Sequence, residues 1–261
     1  MPQFIDNLPY TLDNGFAARA SIGLIVLATD YTIETEWHLL FSQLPGVALY
    51  HARIANDDEV NPETLRAMEP RIAATAATLT PGTALDVIAY GCTSASMAIG
   101  EEVVFRNIRS AKPESHCTTP ITAAFAAFKA LDVRRVAVLT PYTRSVNQIV
   151  VDYMSERGVD IPVFGSFNEP LDSRVARISA ESISAGVRAI VEKSVKLDEE
   201  LDAVFVSCTS VRLMEQCAEL EREIGLPITS SNHAMAWHAL RLAGINDPLT
   251  GLGRLYQCAL D

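Results

Sequence analysis

The sequence predicts an α/β protein of two pseudo-symmetric halves, each a short parallel sheet flanked by helices, with a cleft between them. Short apolar runs alternate with amphipathic segments along the chain, as in parallel sheets covered by helices. A strand end with the sequence DVIAYGCTS at 86–94 returns as DAVFVSCTS at 202–210. We expect an N-terminal arm over 1–20, a first half over 21–131, a second half over 132–245 and a C-terminal tail over 246–261.

Six short apolar runs predict the strands. They lack the alternation of polar and apolar residues that marks a strand with one wet face, so both faces are expected to be buried. The runs are Ile22–Leu27, Val47–Tyr50, Val87–Tyr90, Val136–Leu139, Ile161–Phe164 and Val204–Val206.

Two segments between these runs carry apolar residues at helical spacing. The first has Val175, Ile178, Val187, Ile190 and Val191, and Asp172 is placed to cap it. The second has Leu213, Cys217, Leu220 and Ile224, and it is closed by Gly225 and Pro227.

The repeat extends beyond the two strand ends. Ile22 to Val47 spans 25 residues and Val136 to Ile161 spans 25 as well. The first and second repeated cysteines follow Ile22 and Val136 by 70 and 72 residues. Pro-Ile-Thr occurs at 120–122 and again at 227–229. Matches in the same order at nearly constant offsets indicate an internally duplicated fold.

The composition indicates which partners to exclude and in which compartment to expect the protein. The net charge of -11 would repel a nucleic-acid backbone or an anionic membrane surface. No run of about 18 apolar residues occurs, and no basic start followed by an apolar stretch opens the chain. Five scattered cysteines do not suggest a disulfide framework. We therefore expect a cytoplasmic protein with reduced thiols and no nucleic-acid or membrane partner.

The two repeated cysteines, Cys92 and Cys208, follow buried strands. Ligands of open α/β sheets bind beyond the carboxyl ends of the strands, so both thiols are expected to face one cleft from opposite sides. A helix beginning at each cysteine would bring its pKa, ordinarily about 8.5, roughly one unit closer to neutral. The alternative is that both are buried structural cysteines. The residues that follow them are placed to hold a carboxylate or enediolate oxygen: Thr93, Ser94, Thr209 and Ser210.

The chain resembles the Asp/Glu racemase superfamily over about residues 21–245. SIGLIVLATDYTIETE, IAYGCTSASM, VLTPYTRSVNQ and FVSCTSVRLME are most similar to the branch with maleate cis–trans isomerase and arylmalonate decarboxylase, and within it to the racemase-like EutA proteins of ectoine utilisation. The resemblance implies cofactor-independent catalysis by Cys92 and Cys208. It also implies that Tyr142 and Asn168 bind a substrate carboxylate. Arylmalonate decarboxylase keeps only the second cysteine, so the pair favours racemisation or isomerisation.

The chain departs from this branch at Asp30, where maleate isomerase carries a carboxylate-binding asparagine. An ionised Asp30 would repel a dianion and attract an ammonium group by roughly 4 kcal/mol at about 4 Å. This favours an amino acid or a close derivative as the substrate, unless Asp30 only caps the helix beginning near Thr32.

Three functions therefore stay open at this point. The first is a two-cysteine racemase or isomerase of a small carboxylate or amino acid. The alternative is a maleate cis–trans isomerase acting through a Cys92 adduct, and the second alternative is a non-catalytic carboxylate-binding protein. No metal-site spacing or nucleotide-binding loop is visible, so no metal and no cofactor are expected. Self-association into a homo-oligomer also stays open.

Overall fold

The structure is a computed structural model that describes residues 2–260. Its strands form two four-stranded sheets in which all pairs are parallel. The first sheet contains β1 (Ala20–Leu27), β2 (Val47–Ile54), β3 (Val87–Gly91) and β4 (His116–Thr118). The second contains β5 (Val136–Thr140), β6 (Phe164–Ser166), β7 (Ala203–Val206) and β8 (Ile228–Ser230).

The strand order is the same in both sheets. It is β2-β1-β3-β4 in the first and β6-β5-β7-β8 in the second, so the second sheet repeats the connections of the first. The predicted α/β fold with two duplicated sheets is confirmed. In the first sheet, the connection from β2 crosses β1, so that β3 pairs with β1 on its other side. In the second sheet, the connection from β6 crosses β5 in the same way, and β7 pairs with β5.

Helices connect the strands and cover the sheets. They are α1 (Ile33–Phe41), α2 (Pro62–Arg66), α3 (Ile72–Thr78), α4 (Thr93–Ile99), α5 (Glu101–Ala111), α6 (Pro120–Ala130), α7 (Arg144–Ser155), α8 (Asp172–Val175), α9 (Ala180–Leu197), α10 (Cys217–Ile224) and α11 (Ser231–Leu242). Short 3₁₀ turns lie at Glu69–Arg71, Met214–Gln216 and Arg254–Gln257. None of the helices within residues 2–260 is long and apolar enough to cross a membrane.

The helix after the last strand of each half packs against the other half. Phe128 of α6 contacts Phe205 of β7 edge to face, with ring centroids 5.6 Å apart. Trp237 of α11 belongs to the same apolar cluster as Ile22 and Leu24 of β1. α6 and α11 also pack on each other. This exchange of helices fixes the two sheets relative to one another, and it places the carboxyl ends of β3 and β7 face to face.

Two strand predictions need correction. The run predicted as Ile161–Phe164 forms its strand three residues later, at Phe164–Ser166. An isolated contact precedes the strand, where the Val136 N–H bonds the Asp160 carbonyl. Pro162 has no N–H group to donate to a sheet, and pairing resumes where the Val138 N–H bonds the Val163 carbonyl. β4 and β8 were not predicted, because three residues each are too few to show a pattern.

The Pro-Ile-Thr recurrence is not part of the structural repeat. Residues 120–122 form the first turn of α6, whereas Ile228 and Thr229 lie in β8. The structural counterparts are the caps of the two exchanged helices, Thr119 and Ser230, whose hydroxyl groups accept the N–H of the third helical residue.

The helix expected after Asp172 is broken in two. α8 ends at Val175, and α9 begins after Ser179, whose hydroxyl accepts the Ser182 N–H at 3.2 Å. Asp172 therefore does not cap the long helix. The predicted end of α10 is confirmed, since Gly225 takes the left-handed conformation at φ 82°.

Candidate active site

Two cysteines follow the ends of β3 and β7, and both line one cavity between the halves. Cys92 comes directly after Gly91, and Cys208 comes two residues after Val206. The empty space at this site is about 380 Å³ including the part open to solvent, and Tyr142 lines it as well. The exposed fractions of Cys92 and Cys208 are only 4% and 5%. The structure thus brings together the two thiols that the sequence repeat singled out.

Cys92 sits at the N-cap position of α4 with an extended backbone. Its Sγ lies 3.9 Å from the Ser94 hydroxyl. Burial raises the pKa of Cys92 to about 12, while the backbone N–H of Ala95 and the Ser94 hydroxyl favour the thiolate. The negative charge of Asp172 raises the pKa further. Removal of the thiol from water raises its pKa by more than these two donors lower it.

Cys208 has no helix after it, which corrects the expectation that both cysteines begin helices. A turn follows, and the next helix, α10, starts only at Cys217. The Ser210 N–H points to Cys208 Sγ at 3.4 Å. Burial raises the pKa of Cys208 well above its ordinary value, and the charge of Asp172 adds to this, whereas the Tyr142 hydroxyl and the Ser210 N–H lower it. A resting pKa near neutral was therefore the wrong prediction for both thiols.

The hydroxyl groups beside the cysteines are buried, and three of them line the cavity, those of Thr93, Ser94 and Thr209. The Thr93 hydroxyl lies 2.7 Å from that of Ser231, the first residue of α11. Ser210 is not among the lining residues. The Ser94 hydroxyl, 3.9 Å from Cys92 Sγ, also interacts with the Tyr142 hydroxyl.

Asp172 also lines the cavity, and the sequence analysis assigned it only a capping role. Its Oδ2 accepts a 2.6 Å hydrogen bond from the Thr29 hydroxyl, and its Oδ1 accepts one of 2.7 Å from the Ser210 hydroxyl. Burial raises its pKa to about 6, against the effect of both hydroxyls. An aspartate before an apolar helical pattern gives the same signal as a cap, so the sequence could not distinguish the two roles.

Asp30 lies behind the cavity rather than on its wall. It is fully buried, and its Oδ1 accepts the backbone N–H groups of Thr32 and Ile33 at 2.7 and 3.0 Å. This is the helix-start role that was the alternative reading. Its Oδ2 has no hydrogen-bond partner among the residues described, and burial raises its pKa.

Asn168 is not brought to the cavity. Its side chain is exposed, its backbone is left-handed at φ 55°, and its N–H donates to the Ser166 hydroxyl at 3.0 Å. It borders a separate surface groove along α7 together with Arg144 and Phe164. The prediction that Asn168 holds a substrate carboxylate therefore has no support in this geometry.

The segment after β2 closes the cavity from the first half. Asn56, Asp57 and Glu59 line its mouth. The segment is fastened to the second half through Asp58, whose carbonyl accepts the Asp172 N–H at 2.9 Å and whose carboxylate accepts the N–H and hydroxyl of Ser173 at 2.8 Å each. The two halves thus meet over the thiols as well as beneath them.

The chain is similar to known proteins over most of its length. Residues 22–256 match the arylmalonate decarboxylase family, Amdase. A maleate isomerase of Nocardia farcinica is 30% identical over 249 residues, which are 90% of this chain and 95% of that protein. The structure of Nocardia farcinica maleate cis–trans isomerase bound to TRIS superposes with a TM-score of 0.79 at 28% identity, over 90% of this chain and 97% of that one.

Two further structures bear on the chemistry and the fold. A cysteine-to-serine mutant of the Nocardia farcinica enzyme contains a covalently bound succinylcysteine intermediate, and it has a TM-score of 0.79 and 27% identity over 90% of this chain and 97% of that one. A liganded mutant of arylmalonate decarboxylase has a TM-score of 0.76 at 24% identity over 91% of this chain and 99% of that one, which shows the shared fold.

These relatives confirm that the chain is an enzyme and support the predicted isomerase class. They are similar to it over nearly their whole length, and the two-sheet fold is common to all of them. The chain therefore belongs to the arylmalonate decarboxylase and maleate isomerase family.

Proposed function

We propose that the protein is a cis–trans isomerase of a small cis-unsaturated carboxylate, with the conversion of maleate to fumarate as the model reaction. The observation that carries this proposal is the placement of Cys92 and Cys208, one from each half, on the wall of one cavity. Such a pair can act on the two faces of one small molecule. The similarity to maleate isomerases over 90% of the chain supports the same reaction class.

The first step is addition of the Cys92 thiolate to one carbon of the double bond. The carbon–sulfur bond forms, the π bond breaks, and the neighbouring carbon accepts a proton from the Cys208 thiol. The product is a saturated adduct on Cys92, in which the former double bond is free to rotate. Cys208 then takes the proton back, the carbon–sulfur bond breaks, and the trans alkene leaves. Both cysteines return to their starting state when the trans alkene leaves, so the cycle balances without a cofactor.

Neighbouring groups fit these two roles. The Ala95 N–H and the Ser94 hydroxyl favour the Cys92 thiolate. The Tyr142 hydroxyl and the Ser210 N–H favour the Cys208 thiolate that remains after proton donation. The Thr93 hydroxyl lines the same cavity and would donate to the substrate carboxylate, whose negative charge grows as the thiolate adds. The Thr209 hydroxyl also lies there, but it donates to the Gly91 carbonyl at 3.3 Å.

Racemisation of an amino acid, the function expected first from the sequence, would use the same two thiols. The maleate isomerase relatives favour the alternative that was set beside it. A link to ectoine utilisation is supported only by the EutA-like motifs. A cytoplasmic location is supported only by the composition. A binding protein without turnover is disfavoured, because both thiols and the hydroxyl groups beside them are retained together.

Proton NMR of the protein mixed with maleate and other short cis-2-enoates tests the proposal. We expect the vinyl signals of a cis substrate to be replaced by those of its trans isomer. Cys92→Ser should abolish the conversion, and Cys258→Ser, outside the cavity, should preserve it. Exchange of an amino-acid α-proton in D₂O without any alkene isomerisation would contradict the proposal and indicate an amino-acid racemase instead.

A further inference from the structure

The wall of the cavity is acidic. Asp172 lies inside it, and Asp57 and Glu59 lie at its mouth. Among the lining residues that the structure describes, none is a lysine, arginine or histidine. A dianion such as maleate would enter a site that offers three carboxylates and no cationic partner, and each negative charge on the wall would oppose its binding.

Asp172 is held as a hydrogen-bond acceptor. Each carboxylate oxygen receives a hydroxyl proton, from Thr29 at 2.6 Å and from Ser210 at 2.7 Å. The Thr29 hydroxyl itself accepts a 2.7 Å hydrogen bond from the Asn56 amide, so its proton is committed to Asp172. With both oxygens served by donors, the ionised form is the one the site is arranged to hold. The remaining lone pairs of this buried carboxylate are available to a donor in the cavity.

Asp30, behind the cavity wall, adds to the negative charge around the thiols. Its Oδ2 is buried and has no hydrogen-bond partner among the residues described. Its charge acts on Asp172 and on both cysteine thiols, and in each case it raises the pKa. A cation bound in the cavity would offset both carboxylates and would make thiolate formation easier at the same time.

We propose that Asp172 is the specificity residue of this site and that the substrate is a small cis-unsaturated carboxylate that also carries an ammonium group. This inference rests on the proposed isomerase function and names the substrate class for it. The substrate carboxylate is bound by the hydroxyl groups beside the cysteines, and its ammonium group forms an ion pair with Asp172. The chemistry is unchanged: Cys92 adds at the carbon β to the carboxylate, and Cys208 protonates the α carbon.

Turnover of matched substrates tests this assignment. Maleate and cis-4-aminobut-2-enoate have the same double bond and differ in carrying a second carboxylate or an ammonium group. We expect kcat/KM for cis-4-aminobut-2-enoate to exceed that for maleate by about tenfold or more. Asp172→Asn should lower or reverse this preference. Asp86→Asn should preserve it, because Asp86 also accepts a serine hydroxyl, at 2.8 Å from Ser21, but lies before β3 at the opposite end of the strand.

Binding of saturated analogues separates a failure of this inference from a failure of the proposed function. Calorimetry with 4-aminobutanoate and succinate needs no turnover. We expect 4-aminobutanoate to bind the unmodified protein about tenfold more tightly or better, and Asp172→Asn to remove the difference. Equal or tighter binding of succinate, with no change in the ratio for Asp172→Asn, would overturn the inference. Efficient turnover of maleate in that case would leave the isomerase function standing.

Discussion

The Ser210 hydroxyl donates a 2.7 Å hydrogen bond to Oδ1 of Asp172. The residue two positions after Cys208 thus supports the one carboxylate inside the cavity. Ser210→Ala would remove this donor and leave a buried carboxylate oxygen less well satisfied. We expect a loss of about 1–3 kcal/mol in the free energy of unfolding, measured by urea denaturation. Ser110→Ala, at an exposed position on α5, is the control, and an equal loss in both variants would contradict this role of Ser210.

Glu36 gives the fold a predictable dependence on pH. Its Oε1 accepts the backbone N–H groups of Leu213 and Met214 at 2.9 and 2.8 Å, and its Oε2 accepts the Asn232 amide at 2.7 Å. Burial raises its pKa from 4.5 to about 7. The folded state therefore holds the proton more tightly than the unfolded state, so stability is greatest below about pH 4.5 for this group and falls as the pH rises to about 7.

Glu36→Gln isolates that contribution, because glutamine does not titrate. Between pH 5 and pH 8, we expect the free energy of unfolding of the unmodified protein to fall by about 2.5 kcal/mol more than that of the variant. Urea denaturation at the two pH values measures this difference. Parallel pH profiles in the two proteins would mean that Glu36 is not protonated preferentially in the folded state.

The thiols of the free enzyme should react slowly. With its pKa raised to about 12, Cys92 is far less ionised at pH 7 than an ordinary thiol, which is about 3% thiolate there. We expect its alkylation by iodoacetamide, followed by peptide mass mapping, to be at least about a hundredfold slower than that of glutathione at pH 7. The rate should rise about tenfold per pH unit. A rate at pH 7 equal to that of glutathione would show that the thiol is already activated without substrate.

Tyr142 is expected to act on the second thiol rather than the first. Tyr142→Phe removes the hydroxyl that favours the Cys208 thiolate. We expect kcat to fall by about 10²-fold, because Cys208 transfers a proton both when the adduct on Cys92 forms and when it breaks down. Tyr153→Phe is the control, since Tyr153 bonds Glu101 away from the cavity. A kcat in Tyr142→Phe equal to that of the unmodified protein would contradict this role of Tyr142.

The sequence predicted the strands of the two half-sheets that are long and fully apolar, and with them the meeting of Cys92 and Cys208. Both predictions follow from features that can be seen in the sequence, namely the apolar runs and the repeated strand end. The exchange of α6 and α11 leaves no such record, because an alanine-rich helix can pack on either sheet. The pKa of each thiol was predicted from helix position alone, and burial, which depends on the whole fold, decided it.

The roles of the two aspartates at the site also could not be predicted from the sequence. Asp30 was singled out because it follows the first strand, yet its side chain is used by the start of α1. Asp172 was assigned to a helix start, yet its side chain lines the cavity. Which of two aspartates faces a cavity depends on a turn of the backbone that neither spacing nor composition encodes.

The adduct on Cys92 is the most direct test of the two-cysteine mechanism. Cys208→Ser should be incubated with a cis-2-enoate, digested and mapped by mass spectrometry, with Cys92→Ser treated in parallel. In Cys208→Ser, water must supply the proton that Cys208 would give, and the mechanism predicts that the peptide containing Cys92 gains the mass of one substrate molecule. No peptide should gain it in Cys92→Ser. An adduct on Cys208 in the Cys92→Ser protein, or turnover by either variant at the rate of the unmodified enzyme, would contradict the assignment of the two thiols.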